Sequence, residues 1–247
     1  MRGSHDSDQY KDKAIFNYVL ELDSFYERLL LIIKCLTPLG KEDNNDVTKW
    51  LKDNNNYQYT QFKDATAKSH NLIRKAANGI KHDTLAVDYL TINNHDDIEI
   101  KGFYFSNIVG EDELIGPAPE IQETYKGSST AFSYDYFIRY TGGFVASCIY
   151  HLNNILFKGK KYEPIKIEIL YSFLKKTQNS GRLLFPNEFN SPIASFRKDR
   201  GCIVIIYPSK ERRNNEIDNI MSIRPFFRLN QRTNQSNNQW PYYKLLS

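Results

Sequence analysis

Apolar residues recur every three or four positions along three long segments of the chain, which is the spacing of an amphipathic helix. The first segment covers residues 15–36 and ends at a stretch that contains Pro and Gly, two residues that stop a helix. The second covers about 61–82, and the third covers 134–157, with Ser133 as its predicted N-cap. We expect the first two helices to pack as an antiparallel hairpin.

Two further segments have weaker helical signals. Residues 41–59 are rich in Asn, Asp and Lys and predict a solvated loop, with a short helical turn around Trp50. Residues 164–177 have helical spacing, and Pro164 suits the first turn of a helix. Isoleucines also alternate at 165–169 in the manner of a strand, so a helix and a strand both stay open there.

The pattern changes to alternation of apolar and polar residues after the second helix, which indicates β-strands. Two such runs, 85–90 and 98–105, are joined by an Asn- and Asp-rich turn and predict a β-hairpin with a bulge at Gly102. Residues 111–129 contain Pro and Gly and are predicted to form a loop. The clearest buried strand is at 201–207.

Together these elements predict an α+β fold that is mainly an α-helical bundle of about four helices, with an inserted β-hairpin and a β-rich C-terminal part. The bundle is assigned to residues 10–180, and the β insertion to about 84–110. The β-rich part covers 181–247 and includes a weaker strand at 223–229 and a basic tail. Residues 1–9 are predicted to be the remnant of a vector-encoded tag or a disordered start.

The composition is that of a soluble globular protein, with 40% apolar and 25% charged residues among 247. The three cysteines share no close spacing, so a disulfide framework is not indicated and a reducing cytoplasm is favoured. We find no apolar signal region and no apolar run long enough to span a bilayer, so we expect a cytoplasmic protein without a membrane partner. The formal charge of +4 is compatible with a polyanion but does not identify one.

Residues that can carry chemistry concentrate at the end of the second predicted helix. Arg74, Asn78 and His82 are four residues apart and therefore share one helix face, and Lys81 lies beside them. An imidazole can take or give a proton at neutral pH, and cationic groups can hold a phosphate and stabilise the charge that develops on it. RNA carries its own nucleophile, the 2′-hydroxyl, so such a site can cleave RNA without a metal.

Structural roles stay open for the same residues. Lys81 and His82 suit the negative end of a helix dipole, and an Asn-Gly pair at 78–79 can loosen a last turn. We expect His70 to be exposed and His151 to be a core or boundary residue. No cluster of side chains resembles a metal cage, so the sequence implies no metal and no cofactor.

A helical hairpin whose second helix ends in a polar residue, three residues and a histidine, as in Asn78 to His82, resembles the HEPN superfamily. The family signature is Arg, four to six residues, then His. Seven residues separate Arg74 from His82, so the arrangement of Asn78, Lys81 and His82 is similar to divergent members in which the arginine is moved or lost. The resemblance covers roughly 12–177 and does not cover the C-terminal part.

The resemblance implies a four- or five-helix bundle that often dimerises and a metal-independent endoribonuclease of toxin–antitoxin, abortive-infection or antiviral defence systems. It implies that His82 is the general base or acid, and that Arg74, or failing it Lys81, binds the scissile phosphate. Asn78 would position the phosphate or the histidine. The implied partners are RNA, an antitoxin or other defence-system protein, and a second copy of the chain. The alternatives are a non-catalytic module of the same class that binds nucleic acid or a protein, and a plain scaffold.

The C-terminal tail is a second candidate surface for nucleic acid, because residues 224–247 contain no acidic residue. The arginines of this predicted nucleic-acid-binding surface are Arg224, Arg228 and Arg232. Aromatic residues at 240–243 can stack on bases or dock the tail onto the body, and both interpretations stay open.

Overall fold

The structure is a computed structural model. In it, the chain is divided into two compact units. The first unit is Met1–Asn78 with Phe144–Glu163, and the second is Gly79–Gly143 with Pro164–Ser247. The residues that the structure describes combine helices with antiparallel strands, which makes the fold mixed α+β. They are residues 3–38, 45–54, 56–93, 99–109, 114–157, 171–172, 175–176, 183–191, 195–199, 202–206, 226–228, 240–242 and 244.

The helices follow the predicted apolar periodicity. They are α1 (Gly3–Leu36), α2 (Val47–Asp53), α3 (Tyr57–Lys81) and α4 (Tyr134–Leu156). The short turn that was predicted around Trp50 is α2. The backbone of α1 is helical from Gly3, inside the segment predicted to be a tag remnant or a disordered start. The predicted helix at 164–177 lies mostly outside the described residues. Within this range the structure describes only residues 171–172 and 175–176, which are helical.

Side-chain caps decide where α3 and α4 begin. The Ser133 hydroxyl accepts a hydrogen bond from the backbone N–H of Tyr136 at 3.2 Å, which confirms the predicted N-cap of α4. The sequence interpretation placed the start of α3 about four residues too late, because it did not recognise a cap at Asn56. The Asn56 carboxamide oxygen accepts a hydrogen bond from the N–H of Tyr59 at 2.7 Å.

The first unit is built on one apolar core to which all four helices contribute. Tyr26 of α1 is buried in this core, and its hydroxyl is hydrogen-bonded to the Thr66 hydroxyl at 3.1 Å. Burial raises the pKa of Tyr26 to about 12, so the phenol stays protonated at neutral pH. The buried core residues are Leu22, Tyr26, Leu29, Leu30, Ile33, Trp50, Leu51, Tyr59, Phe62, Ile73, Phe144, Cys148 and Leu152.

The second unit contains a five-stranded antiparallel sheet around the predicted hairpin. The hairpin is β1 (Ala86–Asn93) with β2 (Glu99–Val109). The other sheet strands are β3 (Leu114–Pro117) and β6 (Phe132–Ser133), which pair with β2, and β9 (Phe226–Arg228), which pairs with β1. Two separate hairpins are β4 (Thr124–Tyr125) with β5 (Ser128–Ser129), and β7 (Ser195–Asp199) with β8 (Cys202–Ile206).

Two local predictions for this unit are wrong. Residues 111–129 do not form a plain loop, because β3, β4 and β5 lie there. Gly102 does not mark a bulge, because its pairing with Leu90 continues the regular register of β1 and β2. The glycine is required for a different reason. A Cβ at position 102 would lie 2.2 Å from the carbonyl oxygen of Phe132 and 2.4 Å from the ring of Phe185.

Tyr242 docks the tail onto the body of this unit. Its side chain is fully buried, and its hydroxyl accepts a hydrogen bond from the N–H of Ala131 at 3.1 Å. The same hydroxyl is bonded to the side chain of Asn187. Of the two interpretations of the tail aromatics, docking is therefore the one that applies to Tyr242.

Candidate active site on the third helix

The end of α3 is a hydrogen-bonded cap. The N–H of Thr84 donates to the carbonyl oxygen of Gly79 at 2.9 Å, and the N–H of Asp83 donates to that of Ile80 at 3.2 Å. Asp83 has a left-handed backbone with φ of 53°. These two bonds and this φ define a Schellman motif, in which His82 is the C-cap residue that directly precedes the left-handed residue.

The glycine of the predicted Asn-Gly pair allows a close contact with this cap. A Cβ at Gly79 would lie 2.3 Å from Cδ1 of Leu85, because the buried Leu85 side chain packs against the last turn of α3. Such an apolar contact accompanies many Schellman motifs. The last turn therefore ends in two cap hydrogen bonds and a close contact with Leu85, next to His82.

Three of the four predicted site residues are exposed at this end of α3. Asn78 and Lys81 lie in the last two turns of the helix, and His82 follows directly. All three side chains are exposed, so a ligand in solution can reach them. The structure thus presents an imidazole, an ammonium group and a carboxamide at a helix end with a defined backbone.

The fourth predicted residue, Arg74, is engaged in ion pairs. Its Nη1 donates to Oδ2 of Asp23 at 2.9 Å and to Oε1 of Glu27 at 2.7 Å. Asp23 is fully buried, whereas the side chains of Arg74 and Glu27 are 42% and 51% exposed. Burial lowers the pKa of Arg74, but the hydrogen bonds to Glu27 and Asp23 outweigh it and raise the pKa above the usual value. Binding a phosphate through Arg74 would require breaking these bonds.

His70 belongs to the same cluster, and the expectation that it is exposed is wrong. Its ring stacks on Tyr26 with centroids 3.6 Å apart and an interplanar angle of 13°. Its Nε2 lies 3.4 Å from Oδ1 of Asp23, and only 15% of its side chain is exposed. The cluster therefore joins two residues of α1, Asp23 and Glu27, to His70 and Arg74 of α3.

The sequence contains a signal for this cluster in the spacing of its four residues. Asp23 interrupts the apolar stripe of α1, four residues after Val19 and four before Glu27. His70 precedes Arg74 by the same spacing, so both pairs share a face of their helix. An acid inside an apolar face requires a buried partner, and a basic pair on a neighbouring helix can supply it.

Other predicted residues are placed as follows. His151 is half-buried on α4, as expected for a boundary residue, and burial lowers its pKa. Arg224 and Arg232 lie outside the described residues, and only the backbone of Arg228, in β9, is described. The nucleic-acid-binding role of these arginines stays a prediction.

The residues that the structure describes contain no group of three or more His, Cys, Asp or Glu that could hold a metal ion. In this part of the chain, no helix has an apolar stretch of the length that crossing a membrane requires.

Comparisons with known proteins provide no relative from which a role could be transferred. No protein-family model, no curated protein and no solved structure matches this chain.

Proposed function

We propose that this chain is a HEPN-like, metal-independent endoribonuclease whose proton-transfer group is His82. The observation that supports the proposal is the exposure of Asn78, Lys81 and His82 at the capped end of α3. An exposed imidazole on a fixed backbone can reach an RNA strand, and a neighbouring ammonium group can meet its phosphate. The shared core of α1, α3 and α4 supports assigning these helices to a HEPN-like bundle.

The proposed reaction uses the nucleophile that RNA itself carries. His82 takes the proton of a 2′-hydroxyl, whose oxygen attacks the adjacent phosphorus. The bond from phosphorus to the 5′-oxygen breaks, and that oxygen receives a proton, which leaves a 2′,3′-cyclic phosphate and a 5′-hydroxyl. In a homodimer, the imidazole of a second copy can provide this proton.

Lys81 takes the phosphate-binding role in this proposal. Arg74 is bonded to Asp23 and Glu27, and breaking a partly buried ion pair in order to bind RNA would weaken that binding. The Lys81 ammonium group is at the exposed end of α3 and can stabilise charge on the non-bridging oxygens in the transition state. Asn78, one turn before His82, can donate a hydrogen bond to the same phosphate or orient the imidazole.

RNA cleavage by the purified full chain in EDTA tests the proposal. We expect 2′,3′-cyclic phosphate products, and a loss of about 100-fold or more in rate for His82→Ala. His151→Ala is the matched control, because His151 lies on α4 outside the proposed site, and its rate should stay near that of the parent chain. Unchanged cleavage by His82→Ala, or cleavage of a substrate that lacks every 2′-hydroxyl, would refute the assignment.

A role as a toxin or antiphage defence effector follows from the same proposal. Expression of an active ribonuclease should slow the growth of the host cell, and His82→Ala should relieve this effect. A partner protein of the antitoxin type would suppress the toxicity of the parent chain. If His82→Ala is as toxic as the parent chain, the effector role through this site is wrong.

The second candidate function is a non-catalytic module that binds nucleic acid or a protein partner. The observation that favours it is the commitment of Arg74 to two carboxylates, which removes the arginine of the family signature from phosphate binding. RNA binding that weakens strongly with salt and leaves the RNA intact would support this candidate over the ribonuclease.

A further inference from the structure

The second unit contains a socket that one side chain of the tail fills. Tyr242 is fully buried there, and its ring meets the ring of Phe185 edge-on, with the centroids 5.8 Å apart. The other buried residues of the cluster around it are Leu90, Ile92, Tyr104 and Ala131. Ala131 precedes Tyr242 by 111 positions. The described walls of the socket thus come from much earlier parts of the chain, and Tyr242 occupies it as the side chain of a bound peptide would.

Main-chain hydrogen bonds hold the segment at Tyr242 and two residues after it. The N–H of Tyr242 donates to the carbonyl oxygen of Ser129 at 2.9 Å. The N–H of Lys244 donates to the hydroxyl of Ser128 at 2.9 Å. Both acceptors belong to β5, so the segment lies beside this strand. Bonds from the main chain of a peptide contribute to its affinity without depending on its side chains.

The hydroxyl of Tyr242 makes the socket selective. It accepts a hydrogen bond from the N–H of Ala131 and donates one to the side-chain oxygen of Asn187. Burial raises the pKa of Tyr242 well above its usual value, so the hydroxyl keeps the proton that it donates. A phenylalanine would fill the same space but would leave both groups without this partner, which weakens binding. The socket therefore distinguishes tyrosine from phenylalanine.

The backbone of Tyr242 has a conformation that the socket imposes. Its φ is 61°, in the left-handed region that is unfavourable for a residue with a Cβ. Such a conformation persists where surrounding contacts fix it, and here the bond to Ser129 and the hydroxyl bonds do so. The preceding Pro241 is buried and has a restricted φ, which lowers the entropy that the segment loses on binding. The strain at Tyr242 opposes binding, so the segment is held specifically and can also be released.

Lys244 makes a further contact with the second unit. A Cβ at Gly127 would lie 3.3 Å from Cδ and Nζ of Lys244, so this side chain lies against the turn between β4 and β5. Gly127 has φ of 76°, a conformation that suits glycine in a turn. Pro241, Tyr242 and Lys244 therefore define the pattern that fits the socket, namely proline, then tyrosine, and a lysine two positions after the tyrosine.

We propose that this socket is a peptide-binding site of the second unit. Its ligand is the segment with Pro241, Tyr242 and Lys244, which is held as a tethered peptide that can leave the socket and be replaced in trans. None of these residues takes part in the ribonuclease reaction proposed above, and the test measures binding alone. The result is therefore independent of whether His82 is catalytic.

Cutting the tether in the folded protein tests the proposal. The recognition sequence of a site-specific protease is inserted after Asn234, and the full chain is purified in the folded state and then cleaved. We expect the cleaved protein to stay folded and to exchange its segment for a fluorescent synthetic peptide of residues 236–247, with saturable binding. Unfolding upon cleavage, or no exchange with excess peptide, would show that the segment is an integral part of the core and would overturn the proposal.

Variants of the peptide test the selectivity of the socket. Tyr242→Phe in the peptide should raise its Kd about tenfold or more, because two buried groups of the socket lose a hydrogen-bond partner. A peptide of the same composition in scrambled order is the matched control and should not bind. Equal binding of the parent and scrambled peptides would show unspecific attraction and overturn the proposal.

The socket variant Asn187→Ala completes a double-mutant cycle with the peptide variant. It should raise the Kd of the parent peptide about fivefold, but it should hardly change that of the Tyr242→Phe peptide, which has already lost this bond. Asn107→Ala is the matched control, because Asn107 lies on β2 outside the cluster around Tyr242, and it should bind the peptide like the parent protein. Additive losses would contradict recognition of the tyrosine hydroxyl by Asn187 and overturn this part of the assignment.

Discussion

Arg74 donates from Nη1 to both carboxylate oxygens of Asp23, at 3.1 Å and 2.9 Å. Asp23 is fully buried in the first unit, so this guanidinium provides hydrogen bonds to a carboxyl group that water does not reach. The same nitrogen also bonds to the half-exposed Glu27. Arg74 is thus a structural residue of α3 as well as the arginine that a sequence motif would assign to phosphate binding.

The buried ion pair of Arg74 with Asp23 should contribute more to stability than its exposed ion pair with Glu27. Arg74→Leu removes the guanidinium group that pairs with the buried Asp23, and we expect it to lower the free energy of unfolding by about 3 kcal/mol. Glu27→Gln changes an exposed pair and should cost under about 1 kcal/mol. Urea denaturation of the two variants measures the difference. The double variant Asp23→Leu/Arg74→Leu should recover part of the loss, and equal costs for the two single variants would contradict this explanation.

Gly102 should tolerate no side chain. A Cβ there would lie 2.2 Å from the backbone carbonyl oxygen of Phe132, which cannot move without breaking the pairing of β6 with β2. We therefore expect Gly102→Ala to lower the free energy of unfolding by about 3 kcal/mol or to give insoluble protein. The control is Lys101→Ala, which changes the exposed neighbour on β2 and should alter stability by less than about 1 kcal/mol.

Stability should depend on pH through Glu188. Burial outweighs the hydrogen bonds from Ser133 and Phe185 and raises the pKa of this carboxyl to about 8. The folded state keeps the proton where the unfolded chain loses it, so this contribution is complete below about pH 4.5. It is lost as the pH rises through about 8, by roughly 5 kcal/mol in all.

The measurement is the free energy of unfolding between pH 5 and pH 8 for the parent chain and for Glu188→Gln. The amide does not titrate, so the decline with pH should be smaller in the variant. Glu123→Gln, an exposed change in the same unit, should keep the decline of the parent chain. The same slope in all three proteins would exclude Glu188 as its source.

The cap of α3 should become more stable with glycine at position 83. Asp83 has φ of 53°, a left-handed conformation that costs less for glycine than for residues with a Cβ. Asp83→Gly should raise the free energy of unfolding by about 0.5 kcal/mol, and Asp83→Val should lower it by about 1 kcal/mol or more. Thermal unfolding of the two variants tests the order, and a destabilising glycine would show that the Asp83 side chain holds the turn.

Local patterns were sufficient to predict the elements whose formation depends on nearby residues. The apolar periodicity predicted α1, α3 and α4, and alternation predicted the hairpin of β1 and β2, because a helix or strand buries the face that its own sequence repeats. Ser133 was recognisable as a cap because the hydrogen bond it accepts is three residues away. The position at which α3 ends, next to His82, also followed from local sequence.

Long-range contacts could not be predicted from the sequence, because the periodicity of one helix does not indicate which face of another helix it contacts. The pairing of Asp23 with Arg74 joins residues 51 positions apart, and only packing makes an acid in an apolar stripe tolerable. The sequence predicted a bulge at Gly102. In the structure, the ring of Phe185 and the carbonyl oxygen of Phe132 occupy the space that a side chain at this position would need. The sequence by itself therefore determined the three long helices and the central β-hairpin, whereas the tertiary structure decided which charges are buried and which remain accessible to a ligand.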